Sequence, residues 1–158
     1  MFGARPTQAL AGELADFGRT LEVGAAGKFV VQFSPPAGCH WNTEAHSKWQ
    51  IRDEGPEAIG PIVIADEVAM GEVPPTGCVE VPFVIDPAAL AAAAAAADGT
   101  TSEGGLRGSI VFETAAMVCE NDGGTCLMPR QGVRASYVVS LGSGADPTAV
   151  DISLDRPN

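Results

Sequence analysis

Residues 109–119 read SIVFETAAMVC, residues 120–125 ENDGGT and residues 126–141 CLMPRQGVRASYVVSL. This stretch decides the fold, because it reads as two strands joined by an acidic loop that carries two glycines. On the second arm Val133, Ala135, Tyr137, Val139 and Leu141 share one face, while Arg134, Ser136 and Ser140 share the other. That is the period of a half-buried strand. On the first arm Ile110, Phe112, Ala116 and Val118 alternate less cleanly with Val111, Glu113 and Cys119. Asp122-Gly123-Gly124 supplies the turn, since glycine takes positive φ without steric cost. Cys119 and Cys126, with six residues between them, therefore sit near the two feet of one hairpin loop. Antiparallel pairing of the arms brings their Cα atoms toward the roughly 4.4–6.8 Å that a disulfide requires.

Working outward from this hairpin, the remaining segments are short and punctuated by turns. Residues 28–33, KFVVQF, form a strand that Pro35-Pro36 ends, because proline cannot donate to a ladder. Residues 62–65, IVIA, and 79–85, VEVPFVI, are further strands, and Pro82 marks the latter as an edge or bulged strand. Residues 19–23 alternate, Gly24-Ala25-Ala26-Gly27 turns, and residues 149–154 add a last strand. Trp41 and Trp49 read as apolar plugs packed beneath the loop between them. Residues 6–18 suggest a short helix with Leu10, Leu14 and Phe17 on one side and Gly18 as its stop. Asp86-Pro87 opens an alanine run, Ala88 to Ala97 broken only by Leu90, with a capping aspartate and an N-terminal proline that favour a helix. It offers little to bury and reads as a low-complexity insertion in a surface connection. About seven strands without a βαβ rhythm give the expected class: an all-β, immunoglobulin-like antiparallel β-sandwich. Its expected boundaries are a lead-in over 1–18, the sandwich over 19–142 with the Ala-rich helix and loop inserted at 86–105, and a tail over 143–158.

The chain has 158 residues, nineteen glycines, twelve prolines and a formal net charge of −11. That length buries a core without metals. The acidity weighs against nucleic-acid and anionic-membrane partners. No run approaches the ~20 apolar residues of a membrane helix, and MFGARPTQAL carries no apolar signal core. The four cysteines, at 39, 78, 119 and 126, can pair in three ways if all are oxidised. No serine–histidine–acid set, phosphate-binding glycine loop or paired carboxylates stands out, and Gly104-Gly105 lacks the lysine of a P-loop.

Two segments together resemble a family. Residues 33–45, FSPPAGCHWNTEA, and residues 119–129, CENDGGTCLMP, are similar to the loop and the cysteine hairpin of DsbD-alpha-like domains. One branch of that family is the periplasmic N-terminal domain of the DsbD thiol–disulfide reductase. Another lies at the C-terminus of thioredoxin-like proteins with NHL propellers, such as the chloroplast-lumen suppressor of quenching protein. The second branch is the better fit, at Gly38, His40, Asn42, Glu44 and Ala45. Cys39 stands where an aromatic residue is usual, His46 where proline is, and the loop between the cysteines is one residue longer than in DsbD. The alanine run is not a family feature.

The resemblance implies that Cys119 and Cys126 form a reversible dithiol/disulfide exchanging with a thioredoxin-like partner. It favours an extracytoplasmic-type compartment such as the thylakoid lumen or periplasm over the cytosol, the alternative for a chain whose start carries no targeting signal. No cofactor and no metal are expected. Exchange needs an accessible sulfur and a second thiol that resolves the mixed disulfide. Glu120 and Asp122 beside the pair disfavour a thiolate, and Arg130 would oppose them if it folded back over the loop. The competing reading is a non-catalytic interaction β-sandwich in which the disulfide is purely structural. Cys39 and Cys78 read as free thiols, a second bridge, or groups tuning the first pair. A metal site from Cys39, His40 and His46 with the hairpin pair lacks any usual ligand spacing. His40 and Trp41 either pack in their loop or line a cleft where a partner docks.

Overall fold

A computed structural model describes residues 14–52, 59–96, 106–140 and 147–154. Its core is β-structure. The central pair follows from the alternation of the opening stretch: β9 (Arg107–Ala115) runs antiparallel to β12 (Arg130–Val139) over nine matched positions, from Arg107↔Val138 to Ala115↔Arg130. Around it assembles a six-stranded sheet. β5 (Lys48–Arg52) pairs with β9 and β7 (Met70–Glu72) with β5, while β1 (Leu14–Asp16) and β2 (Leu21–Val23) both lie along β12. A four-stranded sheet runs β13 (Thr148–Ser153), β3 (Ala26–Ser34), β8 (Cys78–Ile85), β6 (Ile62–Val63). A three-stranded sheet is formed by β11 (Cys126–Leu127), β10 (Val118–Glu120) and β4 (Cys39–Trp41).

The two larger sheets share one core. Phe29 of β3 stacks at 4.7 Å on Phe83 of β8 and meets Phe112 of β9 edge-on at 5.5 Å, so aromatic rings bridge the sheets. Val31, Phe33, Val81, Ile85, Ile51, Ile110, Ala135 and Tyr137 complete a cluster that is nearly solvent-free. Burying an aliphatic or aromatic side chain of this kind contributes about 1.5–3 kcal/mol, which identifies these faces as what holds the sheets together.

Several sequence expectations need correction. The pairing is not purely antiparallel: β1 and β2 run parallel to β12, and β13 runs parallel to β3. The helix expected over 6–18 does not form in its described part. Leu14–Asp16 is a strand, Phe17 N–H donates to the Arg134 carbonyl at 2.9 Å, and Gly18 turns the chain at φ 92°. The free edge of β12 offers ladder hydrogen bonds that outweigh a weak local helix preference; residues 6–13 lie outside the described residues. β3 begins at Ala26, so the expected turn is shorter.

Pro82 lies in an interior strand without a bulge, flanked by β3 and β6. Hydrogen bonds from Ile85 to Ala25 and from Phe33 to Gly77 fix the alternation, so the Pro82 nitrogen faces away from β3. On that side β6 pairs only with Val84 and Ile85 and has ended before Pro82. The missing donor therefore costs no ladder bond.

A helix, α1 (Pro87–Ala96), follows β8, with the Leu90 N–H bonded to the Asp86 carbonyl at 3.0 Å. Among the described residues no helix is long and apolar enough to cross a membrane.

Candidate functional site: the cysteine hairpin

Beyond Ala115 and before Arg130 the hairpin leaves the six-stranded sheet but keeps its register. Ala116 N–H donates to the Pro129 carbonyl, Val118 pairs with Leu127, Cys119 with Cys126, and Glu120 N–H donates to the Thr125 carbonyl. Pro129 has no N–H to return, which interrupts the ladder there without shifting it. Cys119 and Cys126 are thus direct cross-strand partners joined in a disulfide, with a Cα–Cα distance of 3.9 Å. That is tighter than the usual separation of roughly 4.4–6.8 Å. Their bonded neighbours, Glu120 with Thr125, make this a non-hydrogen-bonded pair, the position at which opposed side chains come closest. The loop tip is Asn121–Gly124, and only Gly124 of its two glycines takes positive φ, at 69°.

β4 adds to the other edge of β10, with Cys39 opposite Glu120, His40 opposite Cys119 and Trp41 opposite Val118. Directly opposed residues share a face. One row of this small sheet is therefore Leu127, Val118 and Trp41, which packs on the core, with Val118 fully buried. The opposite row is Cys126, Cys119 and His40, and it faces outward. Cys126 and His40 are exposed and Cys119 is half-buried. The His40 Nδ1–H donates to Asn121 Oδ1 at 2.6 Å, and the Asn121 N–H is held by the Gly38 carbonyl at 2.9 Å. Met128, two positions past Cys126, is one of the few large apolar side chains left exposed, at 54%.

The other expected residues are placed as follows. Cys39 is a buried free thiol and Cys78 a half-buried one. His46 Nδ1 contacts the Glu72 carboxylate rather than approaching the cysteines. Arg130 begins β12, opposite Ala115. Trp41, but not His40, lines a cleft of about 300 Å³ with Asn42, His46, Glu72 and Pro74. Trp49 is buried, and Trp41 packs half-buried on the core. Among the described residues no group of three His, Cys, Asp or Glu side chains converges as a metal site.

Sequence reasoning missed two features. Glu113 is fully buried, receiving Gln50 Nε2 at 2.5 Å and Arg52 Nη2 at 2.7 Å. The signal was present, a carboxylate in the middle of an apolar strand. The second is the His40–Cys119 register, which no local pattern reveals because 78 residues separate the partners along the chain. In compensation, the arrangement offers clear chemistry: an accessible disulfide at a hairpin tip, with His40 in register opposite Cys119 on the same face. Neither a family model nor a curated protein matches this chain.

Proposed function

We propose that the chain is a thiol–disulfide exchange module in which Cys119 and Cys126 pass two electrons to or from a thioredoxin-like partner. The observation that carries this reading is the outward row of the small sheet, which presents the bridge at an exposed tip. The flanking likeness to DsbD-alpha-like domains at residues 33–45 and 119–129 supports it. So does the strand order. β12, β9, β5 and β7 follow the G, F, C, C′ order of an immunoglobulin-like sheet, and β3 and β8 lie as its B and E strands do. The parallel β13 at the outer edge of β3 is a departure from that plan.

The reaction balances with a partner dithiol as reductant. A partner thiolate attacks one sulfur of the bridge, forming a mixed disulfide and expelling the other sulfur as a thiolate. The partner's second thiolate then attacks the mixed disulfide, and two protons are taken up by the released cysteines. Cys126 is the more exposed of the two residues, so attack falls on its sulfur and Cys119 leaves.

The test is the midpoint potential of the pair, measured by equilibration with thiol/disulfide buffers and trapping of free thiols. A value of roughly −200 to −270 mV lies within exchange range of thioredoxin-like proteins. A bridge below about −300 mV, opening only as the domain unfolds, would reduce it to a staple in an interaction domain.

A further inference from the structure

When Cys119 leaves the disulfide it carries the electron pair of the broken S–S bond, and that charge must be stabilised and then protonated. The groups near it on the small sheet are few. β4, β10, β11 and the loop joining β10 to β11 contain no lysine or arginine. Their charged side chains are Glu120 and Asp122. Glu120 pairs with Cys39 on the opposite face, and its Oε1 lies over Gly123, 3.3 Å from where a Cβ there would sit. Asp122 is at the exposed tip. Both are anionic and oppose a thiolate. His40 is therefore the one group of these elements able to carry positive charge, and the register sets it directly opposite Cys119 on the same face. Opposed side chains have Cβ atoms roughly 4.5–5.5 Å apart, within reach for an imidazole and a thiol.

Its ring is also held. With Nδ1–H given to Asn121 Oδ1 at 2.6 Å, the neutral imidazole carries its lone pair on Nε2. Asn121 is in turn anchored to Gly38, so both ends of the contact belong to the hairpin and the strand beside it. An imidazole oriented through one nitrogen can activate a cysteine that its other nitrogen reaches, and the opposed positions of His40 and Cys119 on one face bring the two side chains within that reach.

We propose that His40, oriented by Asn121, is the acid–base partner of Cys119. In oxidation of the dithiol the imidazole takes the proton from the Cys119 thiol, and the resulting thiolate attacks the mixed disulfide at Cys126, whose partner sulfur leaves with the electron pair. In reduction of the bridge the imidazolium returns the proton to the departing Cys119 thiolate. The inference rests on the exchange reading for the mechanism's use, but the pairing of imidazole and thiol is measurable without it.

The experiment isolates the thiol. In the full chain carrying Cys126→Ser, alkylation of Cys119 by iodoacetamide is followed by peptide mass spectrometry across pH 5.5–9.5, with and without His40→Gln and His40→Ala. With His40 present, reactivity should persist below neutral pH as a shoulder. Both variants should collapse the profile to one rise near the ordinary thiol range of about 8.5. At pH 6.5 they should react about fivefold more slowly, because lost thiolate outweighs the greater nucleophilicity of a more basic thiol. Superposable profiles would overturn the proposal, as would a loss in His40→Ala that His40→Gln restores, since glutamine fills space but does not titrate. The exchange reading fails separately. A native bridge left intact by thioredoxin-type dithiols sinks that reading, whatever the alkylation profile shows.

Discussion

Tyr137 shows how much one polar atom can organise in an apolar core. Its ring is fully buried on the inner face of β12. Its hydroxyl donates to the Ile59 carbonyl at 2.5 Å and accepts the Ile62 N–H at 3.1 Å. The six-stranded sheet is thereby tied to the start of β6 in the other sheet. Tyr137→Phe leaves a buried donor and a buried acceptor unpaired, and urea denaturation should register a loss of about 1–3 kcal/mol. Burial pushes the phenol up to about 12, the Ile62 N–H working against it more weakly. The unfolded phenol titrates near about 10. Since the folded value is the higher, the unfolded state sheds its proton first as pH rises. The stability held by the neutral phenol is therefore intact below about pH 10 and lost between about 10 and 12. Between pH 9 and 11 the native protein should lose about 1 kcal/mol more stability than Tyr137→Phe does; parallel losses would refute the assignment. Glu113 makes the complementary case. Its side chain is fully buried against an Arg52 side chain that is 18% exposed, so Arg52→Met strands a buried carboxylate and should cost about 3–5 kcal/mol in the same assay. Arg52→Met with Glu113→Leu should recover most of that loss.

At the scale of elements, the sequence disclosed what is locally periodic and hid what depends on neighbours. The inner face of β12 was legible at Val133, Ala135, Tyr137 and Val139, all buried as their spacing required; Leu141 lies outside the described residues. β9 was harder because it is the middle strand of a six-stranded sheet. Val111 and Glu113 on its other face are buried too, and the partner that makes Glu113 tolerable comes from β5. The hairpin and its cysteine pairing were legible for the same reason as β12: the contact is local. The strand at Leu14–Asp16 and the docking of β4 beside β10 were not, since both depend on an edge offered by a distant part of the chain. Within the hairpin tip, Gly124 needs its freedom only for its φ of 69°, as nothing lies within 4 Å of an added Cβ. Gly124→Ala should therefore cost about 1–2 kcal/mol, the strain of a left-handed residue. At Gly77 the same left-handed strain is joined by a Cβ 2.2 Å from the Phe33 carbonyl oxygen. Gly77→Ala should be the more damaging of the two, and comparing their urea midpoints checks the ordering.

Across the whole molecule, the disulfide lies outside the core that holds the two large sheets together. That core is built mainly from β2, β3, β5, β6, β8, β9, β12 and β13; Cys119 and Cys126 are not part of it, and the small sheet meets it through Cys39, Val118, Trp41 and Leu127. An exchange module needs that separation, because it must stay folded in both oxidation states. Opening the bridge releases a closed loop of only eight residues, with Cys119 and Cys126 seven positions apart. The loop-entropy estimate for so small a ring is about 2.5 kcal/mol, against the roughly 5–15 kcal/mol that a domain usually has. The loss should also be local. Val118 stays locked in the core and β4 stays hydrogen-bonded to β10 at Cys119, so reduction should free chiefly residues 120–127. Hydrogen exchange on the oxidised and reduced protein is the direct measurement. Amides of Glu120 and Leu127 should lose protection on reduction, while those of Phe29, Val31, Phe112 and Ala135 should keep theirs within a small uniform decrement. A reduced protein in which β3 and β9 exchange as fast as the hairpin would mean that the bridge secures the entire fold, and a module that unfolds on every turnover could not serve as a relay.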